Sequence, residues 1–158
     1  MDFLTAVRLE LAPEATATPL SIVVFRLIAA AILGGIVGFE RELNARNAGL
    51  RTHMLIAVAA CLFALVALEM MTLAHDVKPD PLRLIEAVTA GVAFLVAGSI
   101  ISSGGRVQGL TTGAGMWLSG ATGLACGTGH LALANLATVI AVIILWGVRP
   151  VSERIGRE

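Results

Sequence analysis

Ionisable side chains set inside or beside long apolar runs are where this sequence could do chemistry. A charge in hydrocarbon is costly, so such a residue turns to a partner, to water or to the membrane surface. Arg26, Glu69, Arg83 and Glu86 stand in this position. Counted from the ends of their apolar runs at 1.5 Å per residue, Arg26 lies about 9 Å in, and Glu69 and Glu86 about 6 Å in. Arg83 sits at the rim above Glu86. All four fall at the same end, and the simplest expectation is an intramembrane cluster of Arg26 with Glu86 or Glu69. The alternative is separate side chains snorkelling to the surface. Asp76, Asp80, Glu69 and Glu86 could also offer oxygens to a hard cation. Mg²⁺ takes one or two carboxylates and keeps several waters, so Asp80 and Glu86 are the candidate ligands. Asp80, between Pro79 and Pro81, is equally placed to cap the helix that follows.

A second constellation lies at the opposite end. Glu40, Arg41 and Glu42 end one apolar run, and Arg51, Thr52 and His53 begin the next. Arg106, Thr111 and Thr112 precede a later one. A network of Glu40 or Glu42 with Arg51 or Arg106 would lock three helix ends into a collar, and the same patch could serve as a recognition surface for a partner. Two other motifs fail. GGRVQGLT spaces its glycines like a phosphate loop but has Leu110 where the lysine belongs. His53, His75 and His130 fall on different segments and make no zinc site. No nucleophile, base and acid can be assembled at compatible depths, so an enzyme is not expected.

The elements that must position these residues are set by composition. The chain has 158 residues, 57% hydrophobic and 14% charged, with a mean hydropathy of +0.88. A soluble domain carries roughly 25% charged residues. The formal net charge is zero, which gives no basic field for nucleic acid. Cys61 and Cys126 lie in apolar stretches and form no evident disulfide or zinc framework. A spanning helix needs about 20 mostly apolar residues. Such runs extend from about Leu20 to Phe39, His53 to Leu73 and Leu82 to Ile101. From Val107 to Val148 there is no Asp, Glu, Lys or Arg. That is about twice one span, so it is expected to be two helices, with CGTGH as their hairpin. SSGGRVQG reads as a turn.

The expected fold is therefore an all-α integral membrane bundle of about five transmembrane helices. Residues 1–19 form a lead-in, read as a short amphipathic helix rather than a cleavable signal. Residues 20–149 form the transmembrane domain and 150–158 a tail. Five spans put Arg41, Arg46, Arg51, Arg106, Arg149, Arg154 and Arg157 on one side, and Arg8, Lys78 and Arg83 on the other. Positive charge marks the cytoplasmic side, which places the N-terminus outside and the C-terminus in the cytoplasm. Lipid gives helices no hydrophobic reason to associate, so small residues must let backbones meet. Gly34 with Gly38, Gly105 with Gly109 and Gly113, and Gly123 with Gly127 have that spacing. Trp117 and Trp146 are read as interface anchors or bundle fillers.

GFERELNARNAGLRTHMLIAVAA (Gly38 to Ala60), DPLRLIEAVTAGVAFLVAGSII (Asp80 to Ile101) and GGRVQGLTTGAGMWLSGATGLACG (Gly104 to Gly127) resemble, in order and spacing, the hallmark segments of the MgtC/SapB family. They cover about half of the chain. The resemblance implies a multi-pass protein of the bacterial inner membrane, linked to magnesium-limited growth and, in pathogens, to survival inside host cells. A non-enzymatic role in regulating other membrane proteins is the implied function. The runner-up is a small Mg²⁺ or other cation transporter or channel subunit. The implied partners are the lipid bilayer and another membrane protein or a second copy. No cofactor is required by this reading, though Mg²⁺ fits its outer acids. The sequence departs from the family where Ala93 and Val96 replace glycines of a GIGFLGAG-like segment, and where Glu86 stands at a position that tends to be small or uncharged. Many members carry a soluble C-terminal domain of the ACT type, whereas this sequence stops soon after Arg149. The expectation is a compact, divergent SapB-like member.

Overall fold

The computed structural model describes residues 2–10, 12, 16–44, 48–73, 80–103 and 106–147. In chain order these form α1 (Phe3–Glu10), α2 (Leu20–Leu43), α3 (Leu50–Leu73), α4 (Pro81–Ser99), a hairpin of β1 (Ile101–Ser103) and β2 (Arg106–Gln108), α5 (Leu110–Gly127) and α6 (Leu131–Gly147). The helices α2, α3 and α4 are long and apolar enough to cross a membrane, and α6 is a shorter apolar helix. Residues 150–158, together with His75, Asp76, Lys78, Arg46 and Arg149, lie outside the described residues.

The helix ends follow local chemistry. Asp80 caps α4 by accepting the Leu82 N–H at 2.9 Å, with Pro81 in the first turn, where its missing N–H costs nothing. The sequence pattern carried this helix to Ile101, but it stops at Ser99. Ile100 is extended, and residues 101–103 pair antiparallel with 106–108, Ile101 opposite Gln108. The segment read as a turn thus contributes to two short paired strands. α5 and α6 are separate helices, divided where the CGTGH string predicts. Gly129 there has φ +84°, a left-handed conformation that glycine adopts without steric cost.

The bundle is held by backbone approach. A side-chain carbon on Gly123 would overlap the Ala57 carbonyl, and one on Gly127 would lie 2.5 Å from the Cys61 oxygen. Residues 57 and 61 therefore face 123 and 127 in the same order, so α3 and α5 run parallel. α2 runs against both, with Gly34 against Ala57 and Gly38 against Leu50. Small buried residues fill what remains: Ala30, Ala57, Cys61, Cys126 and Ala134 form one core cluster with Leu33 and Leu65. α6 packs on α2 and α5, and α4 mainly on α5. Bulky apolar side chains such as Ile28, Ile32, Phe63 and Ile143 point outward, as they must where hydrocarbon is the solvent. Trp117 and Trp146 are both more than half exposed, which removes them as bundle fillers. Of the expected glycine ladder at 105, 109 and 113, the two described members do not share a helix face. Gly105 lies outside the described residues, Gly109 precedes α5 with φ +92°, and Gly113 is on the helix, against Val96.

Candidate functional site

The end of the bundle where α2 stops and α3 and α5 begin carries the densest polar chemistry. Glu40 and Arg41 are buried, 2% and 5% exposed. The Arg41 Nε–H donates to the Glu40 carboxylate, and this is the sole ion pair among the described residues. Asn44, one turn on, donates to Glu40 Oε1 and to the Glu40 carbonyl, both at 2.8 Å. Both carboxylate oxygens are thereby engaged, as a buried charge requires. Glu42 reaches across to the start of α3, where its Oε2 accepts the Leu50 N–H at 3.0 Å. The first amides of a helix lack intrahelical partners and carry partial positive charge, which is why this acid goes to α3. A cavity of about 380 Å³ opens beside the pair, with Glu40, Leu43, Asn44 and Trp146 in its wall.

The collar thus differs from the expected one. Glu40 pairs with its own neighbour on α2, and Glu42 with a backbone amide, so neither meets Arg51, which is exposed. Thr52 is half-buried, Thr111 exposed and Thr112 buried. Arg106 stands in β2, paired through its backbone with Ser103.

At the other end, Arg26 does not join Glu69 or Glu86. Its Nη1 donates to the Gly127 carbonyl at 2.8 Å, and Gly129 lies directly beneath the guanidinium. The last carbonyls of a helix lack donors and carry partial negative charge, so Arg26 closes the end of α5. Glu69 instead accepts the Ala17 N–H on both oxygens, at 2.9 and 2.8 Å. Arg83 and Glu86 are exposed on α4. The candidate metal pair is also apart in role: Asp80 is an exposed helix cap. Among the described residues no three His, Cys, Asp or Glu side chains stand together as metal ligands.

The structure gives an interior place to polar residues that the sequence left at a helix start or did not single out. His53 is fully buried, and its Nδ1 lies 2.8 Å from the Gly49 carbonyl. A carbonyl only accepts, so Nδ1 carries the hydrogen, and in the neutral ring Nε2 is a bare acceptor. That atom faces Gly115 of α5 and has no partner. Ser119 Oγ and Thr122 Oγ1, also buried, are likewise without partners. Thr112, Ser119 and Thr122 fall on one face of α5, a spacing visible in the sequence once that face is known to be interior. His53 carried no such signal, since its exposure depends on how closely α2 and α5 approach it.

This arrangement of close-packed apolar helices, which turn bulky apolar side chains outward and hold one buried ion pair among the described residues, is that of a membrane protein. The model of the MgtC family matches residues 27–154, and the chain belongs to that family. It is 38% identical over 127 residues to Protein MgtC of Brucella abortus, covering 80% of this chain and 51% of that one. It is 37% identical over 134 residues to Protein MgtC of Salmonella typhimurium, covering 85% and 55%. A third relative, named "Putative magnesium transporter YhiD", of Escherichia coli K12, is 37% identical over 126 residues, covering 77% and 58%. The chain spans little more than half the length of these curated relatives. No solved structure matches it.

Proposed function

We propose that this chain is a non-enzymatic, multi-pass protein of the bacterial inner membrane that serves magnesium homeostasis by regulating other membrane proteins. All five helices α2 to α6 cross the bilayer in this reading, with the N-terminus outside and the C-terminus in the cytoplasm. The arginines at positions 41, 51 and 106 then share the cytoplasmic side, as the distribution of positive charge favours. Family membership and the name of the Escherichia coli relative support the link to magnesium. The observation that carries regulation over transport is the α3–α5 seam. Gly123 and Gly127 bring the helices together at the Ala57 and Cys61 backbones, which leaves no width for a hydrated ion along that line. A second reading, a small cation carrier, draws on the unpartnered polar atoms of His53, Ser119 and Thr122 deep in the same bundle.

Two measurements test the proposal. A deletion strain at limiting Mg²⁺ should grow poorly while its initial Mg²⁺ uptake equals that of the parent. Purified protein in liposomes should pass no Mg²⁺, and saturable flux would refute regulation in favour of the carrier. Topology is tested by a membrane-impermeant thiol reagent applied from outside, which should label a cysteine placed at position 78 and leave one at position 46 untouched.

A further inference from the structure

α4 has two unlike faces. Val88 and Val92 are buried, with Leu84 and Val96 packed beside them. At 3.6 residues per turn, the opposite face presents Arg83, Glu86, Ala90 and Phe94, with Gly91 and Gly98 along one edge, all exposed. The outward faces of α2 and α6 are largely bulky and apolar, as at Phe25, Ile28 and Ile32 of α2 and Ile140, Ile143 and Ile144 of α6. Lipid is satisfied by the latter kind of surface. It is not satisfied by a glutamate about 6 Å inside an apolar helix. Neither Arg83 nor Glu86 has an ion-pair partner among the described residues. A side-chain carbon added at Gly91 or Gly98 would meet nothing within 4 Å. Phe94, 81% exposed, stands out between these small positions.

We propose that this face of α4 is the seam of a symmetric homodimer, related by a two-fold axis along the membrane normal. The occupant is a second copy because the face is complementary to itself. In an isologous interface each patch must supply both halves of every contact. Arg83 and Glu86 carry opposite charges one turn apart, and two-fold rotation of parallel helices sets Arg83 against Glu86 of the partner subunit, twice. The axial offset of roughly 4.5 Å is within reach of both side chains. Phe94 likewise supplies a projection, while Ala90, Ala93 and Ala97, exposed on the same face, supply the hollow that receives one. Small residues at such a seam let two helix backbones approach closely. The inference stands with either functional reading above.

The test uses the full chain in lipid nanodiscs or liposomes, with subunit number read by single-molecule photobleaching and by oxidative cross-linking. Wild type should be dimeric. A cysteine replacing Ala90 should cross-link between copies, and one replacing Ile143 should not. Ala97→Leu adds bulk at the centre of this face, where the single copy is exposed, so it should fold normally and weaken dimerisation at least tenfold. Arg83→Glu and Glu86→Arg should each do the same, and the double reversal should restore the dimer, because both pairs re-form with exchanged signs. A monomeric wild type would overturn the proposal, whether the face is covered by lipid or by a different protein. So would a dimer that cross-links at position 143 rather than 90, or one indifferent to Ala97→Leu and to both single reversals.

Discussion

Removing Arg41 should be among the most destabilising single changes available at the polar end of the bundle. In Arg41→Met the Glu40 carboxylate, 2% exposed, keeps its bond from Asn44 and loses its counter-charge. Stranding one member of a buried ion pair costs about 3–5 kcal/mol. The Asn44 bond is already made in the native pair, so it replaces none of what is lost. Glu40→Met strands Arg41 in the same way, though its longer side chain has more freedom to reach the surface, so its cost should be smaller. The double replacement removes both charges together and should cost less than Arg41→Met alone. The assay is reversible unfolding in mixed detergent micelles titrated with a denaturing detergent, run as a double-mutant cycle. The structure calls for a coupling of about 2 kcal/mol or more, favourable to the pair, since contacting charges in one network routinely couple by about 0.5–3 kcal/mol. If the two single changes simply add, the Glu40–Arg41 contact is not what holds this end together.

Arg26→Met should weaken the bundle by about 1.5–3 kcal/mol, the range for a hydrogen bond from a charged donor, because the Gly127 carbonyl loses its donor. Glu69→Gln should add to that loss independently in the same unfolding assay; strong coupling between the two would restore the outer charge cluster. Gly123→Val forces a side chain into the Ala57 carbonyl and should cost about 1–3 kcal/mol or more, with loss of the low-Mg²⁺ growth phenotype as the cellular readout. Ser119→Ala deletes a buried hydroxyl that has no partner, so stability should stay level or rise by about 1 kcal/mol; a clear loss would mean the hydroxyl holds water or an ion, and would favour the carrier reading.

The helices were legible in the sequence because hydrocarbon imposes a length and a composition on any segment that crosses it. Leu20–Leu43, Leu50–Leu73 and Pro81–Ser99 lie close to where apolar runs and breakers put them, and the split of the uncharged final stretch fell at its glycine turn. The glycine spacings at 34 and 38, and at 123 and 127, correctly marked positions of close approach, since only the smallest residue permits backbone contact. Local capping was legible too: Asp80 ahead of Pro81 reads as a helix start and is one. Partnership was decided only in three dimensions. Sequence reasoning paired Arg26 with an acid because charge seeks charge, yet the nearest available negative end was the backbone terminus of α5, which no side-chain pattern announces. Glu42 went to the Leu50 amide for the mirror-image reason. His53 and Glu40 became interior residues because α2, α3 and α5 close on them there. Which helix runs beside which, and in what register, sums many weak packing contacts over the whole chain, and that sum is set by the tertiary structure.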